Sequence, residues 1–76
     1  MNKERRKRLT EIAEVFEEQS TELEYVRDEE QEAFDNLPES IQYSDRGSDM
    51  EDKISEIDDI LSDISDIIDR INELCQ

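Results

Sequence analysis

Histidine and tryptophan are absent from this 76-residue chain. Without histidine, the commonest general base and metal ligand is missing. A lone cysteine, Cys75, rules out an internal disulfide framework and cannot assemble a zinc site by itself. The single glycine, Gly47, leaves no Gly-rich loop to cradle phosphate. Together with the single proline, Pro38, it also leaves little material for sheet turns or flexible linkers. Aromatic residues make up only 5%, and no apolar run approaches the ~20 residues needed to span a bilayer. The basic amino-terminal run is not followed by an apolar segment, so no signal peptide is predicted. These absences predict a cytoplasmic protein with no catalytic residue, no metal and no cofactor. The surface carboxylates (Asp59, Asp63 and Asp66, for example) are expected to act as a solvated face rather than as a cation site.

Acidic charge is plentiful. The chain carries 24 Asp and Glu against 9 Lys and Arg, a formal net charge of −15. Residues 1–8 hold Lys3, Arg5, Arg6, Lys7 and Arg8 against Glu4, a local charge of +4, so the remainder carries −19. Such a body repels phosphate, which predicts no direct contact with nucleic acid, and it attracts basic partners, including proteins that themselves bind nucleic acid.

The clearest pattern lies near the carboxyl end. Met50, Ile54, Ile57, Leu61, Ile64, Ile68, Ile71 and Cys75 are spaced alternately four and three residues apart. This heptad seam predicts one apolar face on a helix. Ile60, Ile67 and Leu74 form a second row that widens the face. Nearly every other residue there is Asp, Glu, Ser or Asn. A helix so divided needs shelter for its apolar side. Ser48-Asp49-Met50-Glu51 reads as a capping box, with Asp49, Glu51 and Asp52 in a first turn where negative charge suits the helix dipole. This helix is predicted from about residue 49 to 74.

Residues 3–35 contain neither Gly nor Pro and are rich in helix formers. Leu9, Ile12, Phe16, Leu23, Val26, Ala33 and Leu37 fit a heptad frame, flanked by Ala13 and Phe34. Its polar members, Gln19 and Glu30, either sit at the bundle edge or fix register and oligomeric state, with Arg27 and Arg46 as candidate partners for Glu30. An i,i+4 pair of Glu4 with Arg8 is also expected. Pro38 ends the first helix, and residues 36–47 form a hinge. Within it, Pro38–Gln42 can make one helical turn with Pro38 at its first position. Leu37, Ile41 and Tyr43 would plug the end of the helix pair, and Ser44–Gly47 has turn chemistry.

Two long helices joined by about a dozen residues predict a single all-α domain over 1–76, an antiparallel, coiled-coil-like two-helix hairpin. The hairpin would set Lys3–Arg8 beside Asp66, Asp69, Glu73 and the terminal carboxylate. One hairpin cannot cover the wider stripe of the second helix. A homodimeric four-helix bundle built through Ile54, Ile57, Ile60, Leu61, Ile64, Ile67, Ile68, Ile71 and Leu74 is therefore expected. The rival is a monomer that docks a different protein there. Cys75 is expected as a small core residue.

The stretch Arg27–Gln42, with Ser44-Asp45-Arg46-Gly47 and Met50-Glu51, resembles small acidic proteins of bacteriophages and prophages, a family of unknown function. These begin with a basic ERR-type run and end in an acidic, Ile- or Leu-rich helix. The resemblance implies a phage-type accessory protein acting in the cytoplasm of a bacterial host. It singles out the hinge, either as a helix-connecting plug or as a recognition tip involving Phe34, Asp35, Asn36, Leu37, Pro38, Glu39, Gln42 and Arg46. Two non-enzymatic functions follow. One is binding and modulation of a basic host protein through an acidic helical surface, by nucleic-acid mimicry or as an inhibitor of host defence. The other is a scaffold that only dimerises through the Ile-rich face.

Overall fold

A computed structural model describes residues 1–76. The chain is all-helical, with 88% of residues in helix and no strand. Its order is α1 (Lys3–Asp35), α2 (Glu39–Gln42) and α3 (Asp45–Leu74). The molecule measures 59 × 15 × 12 Å, close to the ~50 Å expected of a helix of the length of α1 at 1.5 Å per residue.

α1 starts at Asn2, whose Oδ1 accepts from the Arg5 N–H at 2.8 Å. This satisfies one of the four amides that a helix start leaves free. α1 ends where Pro38 forbids continuation. Contacts between distant residues set α3 alongside α1. Cys75 Sγ lies 3.7 Å from Thr10 Oγ1 and donates to the Arg6 carbonyl at 3.6 Å, while the Thr10 hydroxyl donates to that same carbonyl at 3.0 Å. Arg27 Nε meets Asp58 Oδ1 at 3.0 Å. The start of α1 therefore lies level with the end of α3, and the two helices point in opposite directions.

The connector differs from the expected one. α3 begins at Asp45 with Ser44 as N-cap, four residues earlier than the capping box predicts. Ser48 lies inside the helix, its N–H donating to the Ser44 carbonyl at 3.0 Å. The Ser44 hydroxyl makes no capping bond and instead donates back to the Ile41 carbonyl. Residues 44–47 are thus the cap and first turn of α3 rather than a free turn. Pro38 is the N-cap of α2, just outside its first helical position. Leu37 and Ile41 are half-buried, whereas Tyr43 is 83% exposed and plugs nothing.

Gly47 explains the early start. It is buried, and a Cβ there would lie 2.7 Å from the Gln42 Cα and closer still to the Gln42 carbonyl. α2 turns against α3 so tightly that only glycine fits. The Gln42 side chain faces the other way, its Nε2 donating to the Phe34 carbonyl at 3.1 Å and to the Asp35 carbonyl at 3.4 Å. The Phe34 carbonyl also accepts from the Leu37 N–H at 3.0 Å, whereas the Asp35 carbonyl is one that the end of α1 would otherwise leave without a partner. One residue thus fastens both long helices. Gln42→Leu is expected to lower the free energy of unfolding by about 1 kcal/mol, the worth of a hydrogen bond lost at a helix end, as read by chemical denaturation.

Two rods in contact enclose little. Only Ala13, Ile54 and Gly47 are buried.

Candidate interaction surface

The inward face of α3 comprises Met50, Ile54, Ile57, Leu61, Ile64, Ile68, Ile71 and Cys75, all buried or half-buried. The inward face of α1 comprises Leu9, Ala13, Phe16, Ser20, Leu23, Arg27, Glu30 and Phe34, continued by Leu37 just beyond the helix. This is also an unbroken four-three seam, but in a different frame from the expected one. Ala13, Ser20, Arg27 and Phe34 point inward where Ile12, Gln19, Val26 and Ala33 were expected. The latter four are exposed.

With the seam residues at heptad positions a and d, Ala13 and Ile54 are both a. The exposed apolar residues then fall at one position on both helices. Position g holds Arg5, Ile12, Gln19, Val26 and Ala33 on α1, and Arg46, Lys53, Ile60, Ile67 and Leu74 on α3. In an antiparallel pair, g lies beside g and e beside e. The two cross-helix contacts set the register, which brings Ile12 level with Leu74, Gln19 with Ile67 and Val26 with Ile60. These apolar residues are between 37% and 55% exposed. They form one ladder along one flank, and no g position carries a carboxylate, although 24 residues of the chain are acidic. On the other flank, Glu17 and Glu24 of α1 and Ser65 and Asn72 of α3 line a shared polar groove. The molecule thus has an apolar flank and an acidic flank.

Three ion pairs form: Arg27 with Asp58 at 3.0 Å, Arg27 with Asp28 at 3.6 Å, and Lys53 with Asp49 at 3.0 Å. The hydrogen bond to Asp58, helped by the nearby carboxylates, raises the Arg27 guanidinium above its ordinary range. Its hydrogen bond to Asp49 does the same for Lys53. Both cations therefore stay charged at neutral pH. Arg27 is therefore committed to α3 rather than to Glu30, and neither Arg27 nor Arg46 pairs with Glu30. Glu30 sits half-buried in the seam with no ion pair, and Gln19 lies outside the seam altogether. Glu30→Leu is accordingly expected to raise Tm by roughly 4–8 °C, equivalent to ~1 kcal/mol, as followed by circular dichroism.

Lys3, Arg5, Arg6, Lys7 and Arg8 are exposed and make no ion pair within the chain, so the expected closure onto Asp66, Asp69 and Glu73 does not form. Nor does the Glu4–Arg8 pair. Both basic side chains that do pair lie in the other half of the molecule. Of the hinge residues, Asp35, Asn36, Pro38, Glu39 and Arg46 are exposed, while Phe34, Leu37 and Gln42 are half-buried. Gln42 spends its amide on α1 and is not displayed. Cys75 is half-buried at the seam's end.

No cluster of three or more metal-ligating side chains forms, and no helix is long and apolar enough to cross a membrane. Comparison with protein-family models, curated proteins and solved structures finds no match to this chain.

Proposed function

We propose that this protein is a non-enzymatic helical interaction module. A helical hairpin pairs with a second copy through its apolar flank to make a four-helix bundle, and the bundle presents acidic helix faces to a basic protein. The observation that carries this reading is the partition of charge: the flank bearing Ile12, Val26, Ile60, Ile67 and Leu74 holds no carboxylate at its heptad position, and all 24 Asp and Glu lie elsewhere. An apolar ladder of this kind favours burial. Each helix would then bury two adjoining stripes, as four-helix bundles require. The phage resemblance extends the proposal to an accessory protein in a bacterial cytoplasm. Its target there would be a host protein that normally meets nucleic acid, or one that serves defence.

Light scattering on the purified chain tests the pairing, with a particle of twice the 9.0 kDa chain mass expected. Ile67→Glu is expected to give a monomer, because it places a carboxylate at the centre of the ladder. Capture from a bacterial lysate tests the acidic surface. A basic protein retained at low ionic strength and released as salt shortens the Debye length is the expected result. If the dimer forms but retains nothing basic, the scaffold reading replaces the binding one.

A further inference from the structure

The charges bordering the apolar flank specify how a second copy would lie on it. Resting on the pairing proposed above, we infer that the two hairpins associate head to tail: α1 packs antiparallel on α1 of the second copy, α3 packs likewise on α3, and the two-fold axis passes at the level of Gln19 and Ile67.

The level of the axis comes from the ladder itself. Its apolar members run from Ile12 to Val26 on α1 and from Ile60 to Leu74 on α3, centred on Gln19 and Ile67 respectively. The register brings these two centres level with each other. An axis there superposes the whole ladder on its own copy. Ile12 meets Val26 of the second copy, Ile60 meets Leu74, and Ile67 meets itself. Gln19 also meets itself, where two amides can donate to and accept from one another.

The direction comes from heptad position c, the next position outward from g. On α1 it holds Arg8, Val15, Glu22 and Glu29, and on α3 Asp49, Glu56, Asp63 and Arg70. Cations thus border the end bearing the chain termini, and carboxylates border the connector end. Head to tail, Arg8 lies opposite Glu29 of the second copy, and Arg70 opposite Asp63, each pair occurring twice by symmetry. Aligned the same way instead, α1 would face α3 of the second copy at equal level. Glu22 would then oppose Asp63, and Glu29 would oppose Glu56, again twice each. Gln19 would be pressed against Ile67. One arrangement places four opposite-charge pairs on the border; the other places four like-charge pairs. Arg8 and Arg70 make no ion pair within their own chain, so both are free to serve. Border charges of this kind select orientation more than they add affinity.

Charge reversal separates the two arrangements. Glu29→Lys is expected to weaken the dimer roughly tenfold, as measured by sedimentation equilibrium, because attraction turns into repulsion at two symmetric sites. Arg8→Glu combined with Glu29→Lys is expected to restore it. In the other orientation, Glu29→Lys would tighten the dimer by relieving Glu56, and that result would overturn the inference. Disulfide trapping gives a second readout in the Cys75→Ser background. Ile67→Cys alone is expected to cross-link to its own copy. If it does not, and an equimolar mixture of Gln19→Cys and Ile67→Cys chains links instead, the orientation is wrong while the pairing stands. A chain that stays monomeric in light scattering removes the pairing, and this inference with it.

Discussion

Gly47→Ala is expected to destabilise the protein by about 2–3 kcal/mol, the cost of forcing extra atoms into a space already filled. In a chain of this size that corresponds to a fall in Tm of roughly 10–20 °C. The sign makes the test sharp. Gly47 lies in the first turn of α3, and replacing an accessible helical glycine with alanine ordinarily gains up to about 1 kcal/mol. Here the added methyl would meet the backbone of Gln42, including its Cα at 2.7 Å. Backbone cannot rotate aside as a flexible side chain can. Thermal denaturation decides the matter, since a rise in Tm would show that α2 does not press on α3. Ser48→Ala, one residue on and exposed, is expected to leave Tm within a few degrees.

Ile54→Ala is expected to cost about 2–5 kcal/mol, because the lost methyl groups leave a cavity that the neighbours fill only in part. Ile54 is the only large hydrophobic side chain that is buried, at 6% exposure. A single core in a domain of this length supplies only about 3–5 kcal/mol, so a loss of this size is comparable to the chain's whole margin of stability. Loss of helical circular dichroism at room temperature is the expected result. Val15→Ala serves as the control: Val15 is 56% exposed, and its truncation is expected to change Tm little. Equal losses at the two positions would mean that the seam contributes no more than the surface.

The helical class and the α3 seam were legible because the signal has no competitor. From Met50 to Cys75 every four-three position is apolar, and no other frame comes close. α1 offered two frames that share Leu9, Phe16, Leu23, Glu30 and Leu37. Counting apolar residues favours the frame containing Ile12, Val26 and Ala33. The structure takes the one containing Ala13, Ser20, Arg27 and Phe34 instead, which turns the large ring of Phe34 inward, half-buried, and leaves Ile12 and Val26 outside. A usable signal was present. On α3 the surplus row Ile60, Ile67 and Leu74 stands one residue before the seam. Applying the same offset to α1 selects Ile12, Gln19, Val26 and Ala33 as its surplus row. The start of α3 was misplaced for another reason. Glycine usually marks a turn, and Ser48 with Glu51 has the spacing of a capping box. Nothing local to the sequence reveals that the missing Cβ makes room for Gln42 across the connector. The ion pair between Arg27 and Asp58, 31 residues apart, was hidden for the same reason.

The double fastening at Gln42 gives the molecule a grain. At the connector, a side-chain amide holds the end of α1 while the backbone presses on α3. At the opposite end, the polar link across the pair is that of the Cys75 thiol to the Arg6 carbonyl. Opening should therefore begin at the termini and travel toward the bend, like a clasp released at its free tips. Among hydrogen-bonded helical amides, those near Leu9 and Ile71 should exchange with deuterium earliest, and those from Met50 to Ile57 last.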